Sequence, residues 1–210
     1  MTKRSKWGIS LLIAAPLIYI LGEFISSLAW GNPDYHYLTN WISDLGVPIV
    51  TKTINSPWHN IMNTGFITYG ILAFLAFYLL QKVFYKRRRV VLSFAFIQGL
   101  GISLVGLFPG YPWWGVVFHG LGALMAIVGG NLCLIFASHA VKQTSSKKSF
   151  VRFSNLVGTI GIVSFILCLS LSTVFTYDAV FERLSVYTIM LWDIIFAGYL
   201  LRTKPFVHEI

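Results

Sequence analysis

Carboxylates and histidines are the side chains of this sequence best suited to chemistry, and most of them fall near the ends of apolar segments. The 210 residues include only seven acidic residues and five histidines. Those that we map to one side of the apolar segments are Glu23, Asp34, Asp44, Asp178, Glu182, His36, His59 and His119. Imidazole and carboxylate groups can transfer protons, activate water or bind a metal ion. We therefore look for a functional site on this side.

A metal-dependent or acid–base enzyme is one function that these side chains allow. His59 and His119, with Asp44 or Glu182, would bind a metal or act on a lipid as a hydrolase or transferase. The chain has neither H-E-x-x-H nor a His-x-x-x-His pair, so every ligand would have to come from a separate element. His59 and His119 are also the two histidines at matching membrane depth, as the two axial ligands of a haem would be. We expect both instead to form hydrogen bonds at the membrane interface. We expect no metal and no other cofactor, and the enzyme stays an alternative without an assigned catalytic residue.

The polar stretch TNWISDLGVP, residues 39–48, indicates a turn beside the first apolar segment. Ser43 and Asp44 favour a turn because their side chains bond backbone N–H groups, and Gly46 permits a left-handed conformation that would close it. We expect Asp44 to pair with Arg183, one of only two basic residues on this side. The pair would either fasten the loop to the last helix or belong to a pocket that recognises a polar headgroup.

A single polar pocket at the outer membrane face is the predicted site. His59 and Asn63 are four residues apart and so share one helix face. The proposed pocket residues are Ser43, Asp44, His59, Asn63, His119, Glu182 and Arg183. This prediction requires the loops to fold back, so that side chains distant in sequence meet at one cavity.

Two acidic residues, Glu23 and Asp193, fall at membrane depth, where an ionisable group is costly and needs a partner. Asp193 lies roughly 13 Å from the inner end of the last span at 1.5 Å per residue, too deep to reach the outer cluster. We expect it to bond across helices to Asn131 or to Ser and Thr groups. Alternatively, both acids line a polar path in a transporter or scramblase, although no inverted repeat is evident in the sequence.

The composition indicates a membrane protein, whose helices would position these polar groups. The chain is 56% hydrophobic and 11% charged, with a mean hydropathy of +0.73. A span needs about 20 apolar residues, and six segments qualify: residues 8–28, 59–81, 90–108, 116–140, 155–177 and 184–201. We predict an all-α bundle of six transmembrane helices, forming a single domain over residues 1–210 with a long outer loop at 29–58. The first span imitates a signal peptide, but its length and Glu23 predict an uncleaved helix.

Basic residues alternate between the connecting loops. The net charge is +9, and fourteen of the 16 Lys and Arg lie before the first span, between the second and third, between the fourth and fifth, and after the sixth. The positive-inside rule then makes both termini cytoplasmic. Because the charge is spread over these loops, we expect no nucleic-acid partner, but membrane lipids, including anionic headgroups at the cytoplasmic face.

Small residues recur in the third to fifth spans and predict close helix crossings. They include Gly99, Gly101, Gly122, Ala126, Gly130, Gly158 and Gly161. Cys133 and Cys168 lie deep within spans and are read in the same way, as small packing residues and not as a disulfide.

Four short motifs, in order and spacing, resemble a bacterial and archaeal membrane family known as domain of unknown function 998. They are residues 40–46 (NWISDLG), residues 106–109 (GLFP), His119, and residues 181–184 (FERL). A fainter likeness, in the turn at Ser43–Gly46 and the six-helix layout, is to the eukaryotic DRAM, Sfk and Frag-type family. Proteins of that wider group handle lipids, so the resemblance implies a lipid-related role in a prokaryotic plasma membrane. Our first hypothesis is accordingly a lipid-binding or accessory protein that is not an enzyme.

Overall fold

Six long helices make up most of the protein. The computed structural model describes residues 1–31, 33–84, 87–110, 114–141, 147–172 and 174–203. The helices are α1 Lys3–Leu28, α2 His59–Leu79, α3 Arg88–Leu107, α4 Val116–Ala140, α5 Lys147–Leu171 and α6 Ala179–Thr203. Each is long and apolar enough to cross a membrane, which confirms the predicted all-α fold with six spans. Lys86, Lys142 and Lys204, which entered the charge analysis, lie outside the described residues.

Several helices extend further into the charged loops than the predicted spans do. The bounds of α5 differ from those of the predicted fifth span, since the helix begins at Lys147, before residue 155, and ends at Leu171, before residue 177. Hydropathy marks only the apolar part of a helix, whereas Lys and Arg are good helix formers and continue it beyond that part. The ammonium of Lys147 also donates to the backbone oxygen of His139 near the end of α4, at 3.1 Å.

Sequential helices run antiparallel. At the α1–α2 contact, Gly8 lies against Leu80 and Gly22 against Gly65, so one helix ascends as the other descends. The same alternation continues to α6 and brings the first residue of α1 and the last of α6 to one end, called here the terminal end. The opposite end, called the loop end, carries residues 29–58 with a 3₁₀ turn at Ser43–Gly46.

The predicted close crossings of small residues are confirmed. A methyl group added to Gly101 on α3 would lie 2.7 Å from the backbone oxygen of Gly122 on α4. One added to Gly99 would lie 2.7 Å from the backbone oxygen of Gly70 on α2. Backbones can approach this closely only where no side chain stands between them, so these glycines fix the spacing of α2, α3 and α4.

Stacked aromatic rings fill the core toward the terminal end. Trp192 packs on Phe196 with ring centroids 4.5 Å apart and on Phe150 at 5.8 Å. The indole N–H of Trp192 donates to Ser154 Oγ at 2.7 Å, so its buried polar atom is satisfied. A backbone bridge between Phe84 and Val141 joins the two loops below this stack. The terminal half is therefore closely packed.

Candidate functional site

Glu182, in the first turn of α6, holds the start of the 3₁₀ turn. Its Oε2 accepts a hydrogen bond from the backbone N–H of Ile42 at 2.5 Å, and its Oε1 accepts one from Ser43 at 3.2 Å. The first N–H groups of a helical turn have no partner within the turn, and a carboxylate is a strong acceptor for them. The TNWISDLGVP stretch is thus attached to α6 through Glu182.

Gly46 does not have the predicted role of a left-handed turn residue. Its φ lies outside the left-handed region, so the expected left-handed closure of the turn is wrong. The backbone oxygen of Gly46 accepts a hydrogen bond from Asn63 Nδ2 at 2.9 Å. A methyl group on Gly46 would overlap the Asn63 side chain. Glycine therefore allows the turn to lie directly on α2.

The predicted ion pair between Asp44 and Arg183 is also wrong, because Arg183 pairs with Glu23. Arg183 Nη2 lies 3.3 Å from Glu23 Oε1. Nη1 donates to the backbone oxygen of Asn40 at 2.7 Å, and Nη2 also bonds the Tyr35 hydroxyl. Glu23 is 1% exposed and Arg183 is 7% exposed. A buried carboxylate gains more from a cation than one that keeps contact with water, as Asp44 does.

The Arg183 cluster, formed by Arg183, Glu23, Tyr35, Asn40 and Tyr187, ties α1, α6 and the long loop together. The Tyr187 hydroxyl donates to Glu23 Oε2 at 2.5 Å. Tyr187 follows Arg183 by about one helical turn, so the spacing in the sequence predicts that the two side chains lie close together. Tyr35 and Asn40 carried no such signal, because their position depends on the path of the loop. The cluster fastens the loop to the last helix, which is the first of the two roles considered for Arg183.

Asp44 lies partly buried within the 3₁₀ turn. Burial, together with the negative charge of Asp178, raises the pKa of its carboxyl to about 6. A hydrogen bond from the backbone N–H of Trp41 and the charge of Arg183 act in the opposite direction on this pKa. Asp44 is therefore less acidic than an exposed aspartate, whose pKa is about 3.9.

This raised pKa predicts a pH-dependent gain in stability for Asp44→Asn. The folded protein holds the Asp44 proton more tightly than the unfolded chain does, so the parent protein loses stability as pH rises from about 4 through 6. The variant, which carries no charge there, should match the parent near pH 4 and exceed it by about 1–2 kcal/mol at pH 8. Unfolding free energies in mixed micelles at both pH values measure this difference. A gain of equal size at both pH values would contradict the assignment.

A cavity of about 170 Å³ opens among the helices at the loop end. All six helices and the 3₁₀ turn contribute to its wall. Three predicted site residues reach it: Ser43, His119 and Glu182. The remaining wall is largely apolar and aromatic, as illustrated by Trp41 and Phe165. The cavity thus combines a few polar groups with apolar walls, as ligand sites commonly do.

His119 lines this cavity and is anchored to the residue that follows α3. Nδ1 lies 2.9 Å from the backbone oxygen of Phe108. A carbonyl oxygen only accepts hydrogen bonds, so Nδ1 must carry the proton. The backbone of Val105 on α3 also interacts with this ring, so His119 is held against the end of α3.

His59 and Asn63 line a different opening, so the prediction of one shared pocket is wrong. Their groove, of about 420 Å³, lies between α2, the end of α3 and Pro48. His59 Nδ1 bonds the backbone oxygen of Ser56 at 2.9 Å. Asp44 and Arg183 line neither of these two openings. Within the described ranges, no three His, Cys, Asp or Glu side chains lie close enough to hold a metal ion.

Asp193 forms a separate buried network in the middle of the bundle. Its Oδ2 accepts a hydrogen bond from the Tyr69 hydroxyl at 2.9 Å, and that hydroxyl accepts one from Gln98 Nε2 at 3.2 Å. The predicted partner Asn131 instead donates to the backbone oxygen of Ser185 at 3.0 Å. Gln98, an amide inside a span, is the residue in the sequence that could have indicated a polar contact at this depth, and the sequence analysis missed it.

Comparison with known proteins gives a match to one family model. No curated protein and no solved structure matches the chain, and the fainter likeness to the DRAM, Sfk and Frag-type family stays a prediction. Residues 12–199 match the family described as Protein of unknown function (DUF998). This match covers α2 to α5 in full, most of α1 and α6, the 3₁₀ turn and the residues of the Arg183 cluster. The chain therefore belongs to the DUF998 family.

Proposed function

We propose that this membrane protein binds a lipid or another amphiphile in the cavity at its loop end, and that it acts by binding and not by catalysis. The observation that carries the proposal is a cavity with apolar walls from all six helices and polar groups from Ser43, His119 and Glu182. Such a division of polar and apolar surface matches a molecule with a headgroup and a chain. The enzyme alternative is less well supported, because His59 and His119 line different openings.

The wall of the cavity includes residues that face outward from the bundle. Gly120 on α4 is exposed, and Leu169 on α5 is 62% exposed. Both line the cavity, so the cavity opens sideways between α4 and α5, where the surrounding lipid would lie. A ligand could enter from the bilayer without first crossing into water.

The size of the cavity limits what it can hold. A cavity of about 150 Å³ accommodates one benzene molecule, and this one measures about 170 Å³. A complete two-chain phospholipid does not fit within it. One headgroup or a short length of chain would occupy the cavity, and the rest of the ligand would remain in the bilayer.

The distribution of basic residues among the loops supports one orientation of the protein in the membrane. Arg152, Lys148 and most other cations lie toward the terminal end, which places that end in the cytoplasm by the positive-inside rule. The loop end and its cavity would then face outward from a prokaryotic plasma membrane. The basic residues at the terminal end would attract anionic headgroups of the inner leaflet.

Filling the cavity should remove the bound amphiphile. A methyl group on Gly120 would meet no atom within 4 Å, so Gly120→Leu adds bulk beside the cavity without displacing packed atoms. We expect mass spectrometry of the protein purified in mild detergent to find a lipid enriched over the bulk membrane. The ratio of this lipid to protein should fall at least fivefold in Gly120→Leu and in Ala123→Phe.

Gly198→Leu is the matched control. A methyl group on Gly198 also meets no atom within 4 Å, and Gly198 lies on the surface of α6 away from the cavity. This variant should keep the parent ratio of lipid to protein. The proposal fails if no lipid is enriched, or if the enrichment is the same in all four proteins.

A further inference from the structure

The part of the loop end beside Glu182 carries an excess of negative charge. Asp44, Asp178 and Glu182 lie close enough to influence one another electrostatically. The cation nearest to them is Arg183, whose charge is already matched by Glu23 at 3.3 Å. Within the described ranges, the surroundings of Glu182 thus attract positive charge and repel phosphate, sulfate or carboxylate.

Glu182 supplies the one carboxylate among the described residues that line the cavity. It accepts one backbone hydrogen bond on each oxygen, and each oxygen keeps a further lone-pair site. Ser43 can donate or accept through its hydroxyl. No Lys or Arg lines the cavity among the described residues, so an anionic headgroup would find no cationic partner in its wall.

Aromatic rings supply the rest of the recognition surface. Tyr19, Trp41, Phe66 and Phe165 all line the cavity. The faces of aromatic rings attract cations, and groups of such rings are used to recognise quaternary ammonium ligands. A ring-lined cavity with a carboxylate at its edge suits an ammonium group better than a neutral sugar.

We propose that the cavity binds the ammonium headgroup of an amphiphile, with the alkyl chain leaving between α4 and α5. This inference rests on the proposed function, whose cavity it uses, and adds the chemical class of the ligand. The ammonium lies beside Glu182 and against Trp41. An ammonium group occurs both in zwitterionic phospholipids and in free cationic amphiphiles, and the experiment separates these two sources.

Four probes with the same dodecyl chain test the headgroup preference. They are dodecyltrimethylammonium, dodecylphosphocholine, dodecyl maltoside and dodecyl sulfate, titrated calorimetrically into delipidated protein held in a non-ionic amphipol. We expect dodecyltrimethylammonium to bind at least tenfold more tightly than the maltoside and the sulfate. Dodecylphosphocholine of similar affinity would identify a phospholipid headgroup as the source. Much weaker binding of dodecylphosphocholine would identify a free cationic amphiphile.

Variants then locate the preference within the cavity. Glu182→Gln removes the charge and should reduce the advantage of dodecyltrimethylammonium over the maltoside about tenfold. Because Glu182 also holds the turn, Trp41→Leu serves as a second variant that preserves the charges of Asp44, Asp178 and Glu182. It should weaken the binding of dodecyltrimethylammonium several-fold and leave the binding of dodecyl maltoside nearly unchanged.

The outcomes distinguish this inference from the proposed function. If all four probes bind equally and all are weakened by Gly120→Leu but not by Gly198→Leu, the cavity binds amphiphiles and the ammonium preference is wrong. If none of the four is weakened by Gly120→Leu, the cavity is not the binding site and the proposed function fails. Tighter binding of dodecyl sulfate than of dodecyltrimethylammonium would also overturn the ammonium assignment.

Discussion

Arg183→Met should lower the free energy of unfolding by about 3–5 kcal/mol, the usual cost of leaving one partner of a buried ion pair uncompensated. Arg183 bonds Glu23, Tyr35 and the backbone oxygen of Asn40. Methionine fills a similar volume but provides none of these donors. Glu23 would then remain 1% exposed with only the Tyr187 hydroxyl as a partner. Equilibrium unfolding in mixed detergent and dodecyl sulfate micelles measures the loss.

A second substitution tests whether the charge of Glu23 causes this loss. Glu23→Gln combined with Arg183→Met removes both charges and should recover about half of the lost stability, since a neutral amide is much less costly to bury than a lone carboxylate. Lys52→Met is the control for removing a cation at the loop end, because Lys52 is exposed and should change stability by no more than about 0.5 kcal/mol. Equal losses for Arg183→Met and the double variant would show that Glu23 is not the source.

Gly101→Val should destabilise the bundle by about 3 kcal/mol through steric overlap at the α3–α4 crossing. The nearest atoms to an added Cβ include the backbone oxygen of Gly122, at 2.7 Å. Backbone atoms cannot rotate away as the end of a long side chain can, so the two helices would have to separate. The same micelle unfolding assay should report the loss as a lower midpoint.

Gly198→Val is the matched control for this substitution, because it places valine in a helix at a position with no atom within 4 Å of the added Cβ. It reports the cost of a β-branched residue alone, about 0.5 kcal/mol or less relative to other residues in a helix. If both variants lose the same stability, close packing between α3 and α4 is not what makes Gly101 necessary.

The sequence was most informative about features that depend on local pattern. Runs of about 20 apolar residues located the six helices, since a span of that length is fixed by the thickness of the bilayer. Small residues such as Gly101 identified the crossings, because only they permit close backbone approach. The bounds of α5 were missed where Lys147 and its neighbours continue the helix beyond its apolar part.

The partners of the polar groups could not be predicted in the same way. Ser43, His119 and Glu182 do line one cavity, but Arg183 lies beside Glu23 and not Asp44. Which carboxylate receives the guanidinium depends on the depth of each group and on the path of residues 29–58, and neither follows from helical periodicity. Tyr69 was likewise missed as the partner of Asp193, because the rotation of α2 relative to α6 decides which side chains meet.

A substitution at Glu182 would affect both the 3₁₀ turn and the cavity. Its two oxygens receive the amides of Ile42 and Ser43, while the same side chain borders the cavity. Natural sequences that alter this acid should therefore carry compensating changes in the NWISDLG segment, about 140 positions away along the chain and adjacent in space. Coordinated variation between these two short segments in related sequences would show that one carboxylate contacts both the turn and the cavity.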